Sequence, residues 1–216
     1  MKNFINSILC LGLVSMIVSV DITNAKELSE YQNPVNIEKI ADEMNVTTED
    51  LVETFLNLDS YLNEVESQPE MLTISDEGET VSQQVIRLDN GLLIVKETEI
   101  ESIVPYATTK ELHTHYFVKD PLGASTAVTL TTDVTYQQQA GGVGYIHYIN
   151  SISGRYDGYL YSVNCNGVIT SQGWSKSPVA KEYYYLSFMF QGSPFSKTIV
   201  NTISFAGSGA HSSRWS

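Results

Sequence analysis

Residues 126–138 read TAVTLTTDVTYQQ and residues 143–152 read VGYIHYINSI. Side chains alternate between the two faces of a strand, so in the first run Val128, Leu130 and Val134 fall on one face. The second run is rich in β-branched and aromatic residues, which favour strands. The connection between them ends in two glycines, so the sequence predicts a long antiparallel hairpin.

Similar runs fill the chain from Tyr106 onward. The predicted strands cover residues 112–118, 126–138, 143–152, 158–165, 168–173, 182–190 and 198–205. Segments rich in Gly, Pro, Asn and Asp separate them, as residues 119–123 and 192–194 illustrate. Short antiparallel strands at this spacing predict an antiparallel β-sandwich, or a small barrel, over residues 105–216.

An acidic segment with helical periodicity, residues 26–70, precedes the β-domain. Apolar residues recur three or four positions apart between Asn36 and Glu66, which predicts a short hairpin of two helices. Asn36 is suited to cap the first helix, and Thr47 or Thr48 the second. A DNA-binding helix-turn-helix is excluded by charge, because the second helix would carry acidic residues and no base.

A β-hairpin or linker is predicted next, over residues 71–104. Residues 81–88 and 92–100 flank Asp89-Asn90-Gly91, and Asn and Gly both tolerate the positive φ of a tight turn. Residues 26–104 carry 19 acidic and 4 basic side chains, whereas residues 105–216 carry 5 and 7. The acidic half argues against nucleic acid as a partner. It could serve as an accessory subdomain, a spacer or a removable pro-region.

Residues 1–25 are predicted to be a cleavable export signal. Lys2 provides the basic start, residues 8–20 form an apolar run, and Thr23-Asn24-Ala25 places small side chains before the cleavage point. The apolar run is shorter than the about 20 residues that a membrane-spanning helix needs. We therefore expect a secreted, extracellular protein without a membrane anchor after cleavage.

Cys165 is the one cysteine left after removal of residues 1–25. An intramolecular disulfide is therefore impossible. Its place in an alternating strand is typical of a small buried side chain, although a free thiol in an exported protein can also act as a nucleophile or bridge two molecules.

The layout resembles that of a group of small exported β-sandwich proteins of Gram-positive bacteria. It combines an export signal, an acidic helical stretch, an Asn-Gly hairpin that runs to Val104-Pro105, and a β-domain rich in Tyr, Thr and Ser. The resemblance covers most of the chain after residue 25 and includes no diagnostic motif. It implies a compartment and a fold class, and no site residues.

One candidate metal site begins with Glu111, His113 and His115, which share a strand face because they are two residues apart. Two imidazoles and a carboxylate are a ligand set for zinc and would suit a metal-dependent secreted enzyme. Further ligands could come from neighbouring strands: His147, Asp133 or His211. Histidines on a solvated strand face need no metal, so the two interpretations stay open. The sequence contains no G-x-S-x-G, S-x-x-K or H-E-x-x-H motif.

Aromatic residues are concentrated in the back half, with 11 of the 13 tyrosines and both tryptophans after Pro105. Trp174 lies in a polar, turn-prone segment where an indole tends to stay exposed. We predict that it forms a ligand-binding surface with Tyr183, Tyr184 and Tyr185, of which Tyr184 faces opposite to its neighbours. Exposed Trp and Tyr suit sugar rings or protein partners.

These features predict a non-catalytic, exported binding module without a cofactor, whose partner is a cell-surface polysaccharide or protein. Two alternatives remain at this level. One is the metal-dependent secreted enzyme that uses Glu111, His113 and His115. The other is a membrane-active toxin, because the Thr- and Gln-rich hairpin of residues 126–152 has the alternation of a pore-forming hairpin.

Overall fold

The hairpin of residues 126–152 lies in the middle of a large curled sheet. The computed structural model describes residues 35–74, 80–102, 109–139, 143–156, 161–171, 173–206 and 210–216. From residue 35 onward these belong to one compact unit. The predicted signal peptide at residues 1–25 lies outside the described residues, as do residues 26–34.

Three short helices lie near the start of the described chain: α1 (Ile37–Met44), α2 (Thr48–Leu56) and α3 (Leu58–Glu66). The strands are β1 (Val35–Asn36), β2 (Met71–Ile74), β3 (Thr80–Arg87), β4 (Leu93–Ser102), β5 (Thr109–Lys119), β6 (Thr126–Gln139), β7 (Val143–Tyr156), β8 (Tyr161–Ile169), β9 (Val179–Phe190), β10 (Ser193–Phe205) and β11 (His211–Trp215). Within the described part of the chain, none of the helices is long and apolar enough to cross a lipid bilayer.

The sheet follows the order of the chain. Each strand from β2 to β11 is hydrogen-bonded to the next, and these pairs are antiparallel, so the ten strands form a curled meander shaped as a half-barrel. Strand β1 joins in parallel, where Val35 pairs with Phe188 beyond the part of β9 that β8 covers. The predicted mainly β, antiparallel fold is confirmed, and the hairpin of residues 81–100 is part of the same sheet.

A two-sheet sandwich is not confirmed, because the sheet continues through β8. Residues 161–163 of β8 pair with β7, and residues 164–169 pair with β9. A glycine allows close contact at this bend: a Cβ on Gly154 would lie 2.7 Å from Cβ of Val163. The absence of a side chain at Gly154 therefore lets β7 and β8 approach where the sheet curls.

The helices pack against the concave face of the sheet. Their apolar side chains, such as Ile37, Phe55 and Leu62, share one core cluster with residues of the sheet such as Leu130 and Phe188. A second, smaller cluster lies further along the strands. The change in charge near Pro105 is thus not a boundary in packing, since the acidic helices contribute to the same core as the back half.

The predicted helix caps are confirmed, but the number of helices is corrected from two to three. Asn36 Oδ1 accepts the backbone N–H of Glu38 at 2.9 Å, and Thr47 Oγ1 accepts that of Asp50 at 3.1 Å. The predicted second helix is divided at Asn57, whose side-chain amide donates to the carbonyl of Glu53. The apolar spacing continues across Asn57, which is why periodicity alone suggested one helix.

Helix α3 connects β11, at one end of the curled sheet, with β4 and β5 near the other end. On one side, the side-chain amide of Asn63 donates to the carbonyl of Trp215 at 2.8 Å and accepts its N–H at 2.9 Å. On the other side, Glu66 accepts a bond from Lys96 Nζ at 2.7 Å and one from the Tyr116 hydroxyl at 2.6 Å. Asn63 thus pairs with both the N–H and the C=O of Trp215 on β11, as the backbone of a neighbouring strand would.

Replacing Asn63 by alanine should remove both bonds to Trp215 and lower the free energy of unfolding by about 1–3 kcal/mol. Chemical denaturation, followed by circular dichroism, measures the change. Glu64→Ala, an exposed substitution on the same helix, is the control and should change stability by less than about 0.5 kcal/mol. Equal stability of the two variants would show that the bonds to β11 contribute nothing.

Candidate functional site

The two histidines of β5 lie on the outer face of the sheet, as the alternation predicts, and each has a separate partner. His113 Nδ1 lies 2.9 Å from Asp133 Oδ1. His115 Nδ1 lies 3.0 Å from Thr131 Oγ1. Burial lowers the pKa of His115, which favours its neutral form at neutral pH. The two imidazoles are therefore held by different groups of the next strand.

The other two predicted metal ligands are also engaged elsewhere. Glu111 Oε1 accepts a hydrogen bond from the side-chain amide of Asn150. His147 Nε2 lies 3.0 Å from Gln137 Oε1. Among the described residues, no three His, Cys, Asp or Glu side chains are placed to hold a metal ion. These residues share one face of the sheet but do not converge on one point. Their arrangement therefore does not support a zinc site.

Asp133 forms the centre of a small polar network on this face. Its Oδ1 pairs with His113, and its Oδ2 accepts a hydrogen bond from the hydroxyl of Ser151. A serine nucleophile needs a base that takes its proton, which is normally an imidazole in direct contact. Here the carboxylate separates the two groups, so the network orients polar groups and does not form a nucleophile–base pair.

Strand β7 departs from regular alternation at two β-bulges. Tyr136 pairs with Ile146 and Thr135 with Tyr148, so His147 is an extra residue on β7. Asn150 is the second extra residue on β7, because Val134 pairs with Ile149 and Asp133 pairs with Ser151. A bulge re-aims the side chains beside it. Both bulges bring additional side chains of β7 to the outer face of the sheet.

The sequence contains a signal for these bulges that strict alternation overlooks. Ile146, Ile149 and Ile152 are three residues apart, and all three pack against the core clusters. A regular strand would place Ile149 on the face opposite to its two neighbours. Apolar residues at a spacing of three within a strand therefore indicate one extra residue in each interval.

Three outward-facing rings of β7 form a row with Trp174. The ring centroids of Trp174 and Tyr145 lie 5.9 Å apart, those of Tyr145 and His147 4.7 Å, and those of His147 and Tyr148 6.0 Å. Trp174 reaches β7 because Ser175 pairs with Gly144. The predicted exposure of Trp174 is confirmed at 48%, and Tyr148 is 66% exposed.

Of the three β9 tyrosines predicted to form a ligand-binding surface with Trp174, Tyr184 is wrong because it is buried. Tyr184 is 0% exposed, and its hydroxyl donates to the carbonyl of Thr131 at 3.2 Å. It is a core residue because β9 turns this face towards the concave side. Tyr183 and Tyr185 lie on the outer face, as the alternation required, and Tyr185 is 40% exposed. Among the described residues, the ring that lies against Trp174 is that of Tyr145.

Cys165 is free and partly buried, and its thiol donates to the carbonyl of Val163. Burial raises the pKa of this thiol to about 12, so it stays protonated at neutral pH. A protonated thiol is a poor nucleophile. The geometry favours the interpretation of Cys165 as a packed side chain.

The hairpin that suggested membrane insertion is an interior part of the sheet. β6 pairs with both β5 and β7, and β7 pairs with both β6 and β8. Insertion would require these strands to leave two neighbours. What remains as a candidate site is the outer-face patch, which we define as the ring row and the polar residues beside it: Trp174, Tyr145, His147, Tyr148, Asn150 and Ser151.

Comparison of the chain with models of protein families, with curated proteins and with solved structures found no match. The function must therefore be inferred from the outer-face patch itself.

Proposed function

We propose that this protein is an exported, non-catalytic binding module and that its outer-face patch binds a cell-surface polysaccharide. The observation that carries the proposal is the row of four rings on the outer face, in which each ring centroid lies 4.7–6.0 Å from the next. Export rests on the signal sequence that is predicted for residues 1–25. Ser151 donates to the carboxylate of Asp133 and not to an imidazole, which favours a positioning role for its hydroxyl over a nucleophilic one.

Rings of this kind are suited to sugars. Trp174 and Tyr148 lie at the two ends of the row and are its most exposed members, while Tyr145 and His147 lie between them. The C–H faces of a sugar ring pack on aromatic faces, and an exposed Tyr or Trp also offers a polar tip for a hydroxyl group. Since Tyr145, His147 and Tyr148 belong to one strand, little conformational entropy is lost on binding.

The polar half of the patch matches the hydroxyl groups of a sugar. Asn150 is held between Glu111 and Thr135, and Ser151 is held by Asp133. Planar amide and carboxylate groups can each bond two neighbouring hydroxyls, and their mutual bonds hold them in place before a ligand arrives. The carboxylates also favour a neutral polysaccharide over a polyanion, because like charges repel.

Substituting Trp174 or Tyr148 by alanine should weaken binding to the polysaccharide about tenfold or more, because truncating an aromatic anchor often removes ~1.4 kcal/mol or more. Co-sedimentation with insoluble chitin, cellulose and purified peptidoglycan measures the binding. Tyr185→Ala is the matched control, since Tyr185 is an exposed aromatic residue on β9, outside the patch.

The melting temperatures of the patch variants should stay close to that of the parent protein, because both side chains are exposed. Fluorescence provides a second measurement. The protein has two tryptophans, and Trp215 is buried, so a change in emission on binding reports on Trp174. Failure of all three polysaccharides to retain the parent protein, or equal weakening by Tyr185→Ala, would contradict the proposal.

A further inference from the structure

A buried carboxyl group lies inside the curl of the sheet, on the face opposite to the outer-face patch. Glu182 is on the concave side of β9 and is 0% exposed. Its carboxyl oxygens accept bonds from Thr132 on β6, from Asn201 Nδ2 at 3.2 Å on β10, and from the Tyr184 hydroxyl at 3.4 Å. Within the described residues, no Lys, Arg or His forms an ion pair with Glu182.

These contacts join parts of the sheet that are distant in strand order. β6 and β9 are separated by β7 and β8, so the bond between Thr132 and Glu182 crosses the interior of the half-barrel. The Tyr184 hydroxyl makes a second crossing to the carbonyl of Thr131. The carboxyl group therefore helps to hold β9 and β10 against β6.

In the part of the chain that the structure describes, the titratable groups around Glu182 offer no positive charge to balance a carboxylate. They are Tyr116 on β5, Asp133 on β6, Cys165 on β8 and Tyr184 on β9. Burial raises the pKa of Glu182 to about 7, and the nearby Asp133 raises it further, against the lowering effect of the three hydrogen bonds. Taking a carboxylate out of water without a counter-ion disfavours its charged form.

The amide of Asn201 next to Glu182 is able to serve the neutral acid as well as the carboxylate. Asn201 Oδ1 is buried and has no hydrogen-bond partner among the described residues. The oxygen and nitrogen of this amide exchange places by a half-turn of the side chain. In that orientation the oxygen faces Glu182, a bond from a protonated carboxyl group replaces the bond from Nδ2, and Nδ2 takes the place that the oxygen has now. An ionised carboxylate only accepts and could not satisfy Asn201 Oδ1.

We propose that Glu182 is an internal proton-binding site, neutral in the closed half-barrel, and that its ionisation weakens the connection between β6 and β9. The neutral acid satisfies Thr132, Asn201 and Tyr184 without a buried charge. The carboxylate keeps its donors but carries an unbalanced charge in the interior. The protein is then a pH-sensitive fold whose closed form is favoured in mildly acidic surroundings.

The direction of the pH effect follows from the two pKa values. The pKa of Glu182 is about 7 in the folded chain and 4.5 for an ordinary glutamate, so the stabilisation is complete below pH 4.5 and is lost as the pH rises towards 7. His211 acts in the opposite sense, because burial lowers its pKa to about 4 and acidification below its ordinary value of 6.5 destabilises the fold. A variant that changes Glu182 alone separates the two effects.

Glu182→Gln keeps the shape and hydrogen bonds of the neutral acid, so it should match the parent protein near about pH 4.5 and exceed its melting temperature by roughly 5 °C or more at about pH 8. The difference between the two melting temperatures cancels the contribution of His211, which both proteins contain. Glu53→Gln, an exposed substitution on α2, should show no difference that depends on pH.

Infrared difference spectroscopy tests the protonation state without unfolding the protein. The parent protein should have the carbonyl band of a protonated carboxylic acid in mildly acidic buffer, and this band should be absent from Glu182→Gln and fade as the pH passes 7. A melting-temperature difference that stays constant with pH, or the absence of this band from the parent protein in acidic buffer, would overturn the proposal.

Discussion

Replacing Glu66 by alanine should lower the free energy of unfolding by about 3–5 kcal/mol, because it breaks a buried ion pair on one side. The Lys96 ammonium is buried, 2.7 Å from Glu66, and would have no counter-ion. Tyr116 would lose the acceptor of its hydroxyl. Burial holds the pKa of Tyr116 well above its ordinary value, so the phenol stays protonated. It therefore cannot supply the negative charge that Glu66 places beside Lys96.

The exposed pair between Lys39 and Glu43 on α1 is the control. Glu43→Ala should change stability by no more than about 1 kcal/mol, since solvent screens an exposed pair. The double variant Glu66→Met with Lys96→Met should recover most of the loss, because it removes both charges together. Urea denaturation provides the free energies. If Glu66→Ala is no more harmful than Glu43→Ala, α3 is not held to the sheet by this pair.

Replacing Tyr184 by alanine should also destabilise the protein by about 3–5 kcal/mol, the range for a large buried aromatic side chain. Its ring lies 5.8 Å from that of Trp215, and its hydroxyl bonds connect β9 to β6. Truncation would leave a cavity between them and would take one donor from Glu182. Thermal and urea unfolding measure the loss.

The neighbouring Tyr185 is the matched control because it belongs to the same strand and is partly exposed. Tyr185→Ala should change the free energy of unfolding by less than about 0.5 kcal/mol. Similar losses of stability for Tyr184→Ala and Tyr185→Ala would mean that the face of β9 that carries Tyr184 is not the buried one.

Local patterns were sufficient for most of the secondary structure. Asp89-Asn90-Gly91 predicted its turn correctly because Gly91 adopts a φ of +88°, a conformation open to glycine without strain. The caps at Asn36 and Thr47 depend only on side chains within three residues of the cap. The division of the second helix at Asn57 escaped prediction, since it changes the path of the chain without interrupting the apolar spacing.

The candidate site was predictable only in part. The exposure of Trp174 and the outward direction of His113 and His115 follow from turn chemistry and alternation. The partners of Trp174 do not, because Trp174 reaches Tyr145 through the pairing of Ser175 with Gly144, and Tyr148 reaches the outer face through bulges that depend on the register between β6 and β7. The metal hypothesis relied on convergence between strands, and the register gives each imidazole a different partner.

By itself, the sequence determined that the chain is mainly β, where its turns and caps lie, and which residues alternate along each strand, because these properties depend on neighbours a few residues away. The tertiary structure decided how the sheet closes and which face is buried. It placed Glu182 and Tyr184 inside and left Tyr185 outside. Residues of one chemical type differ in role here because burial and pairing register arise from contacts between strands distant in sequence.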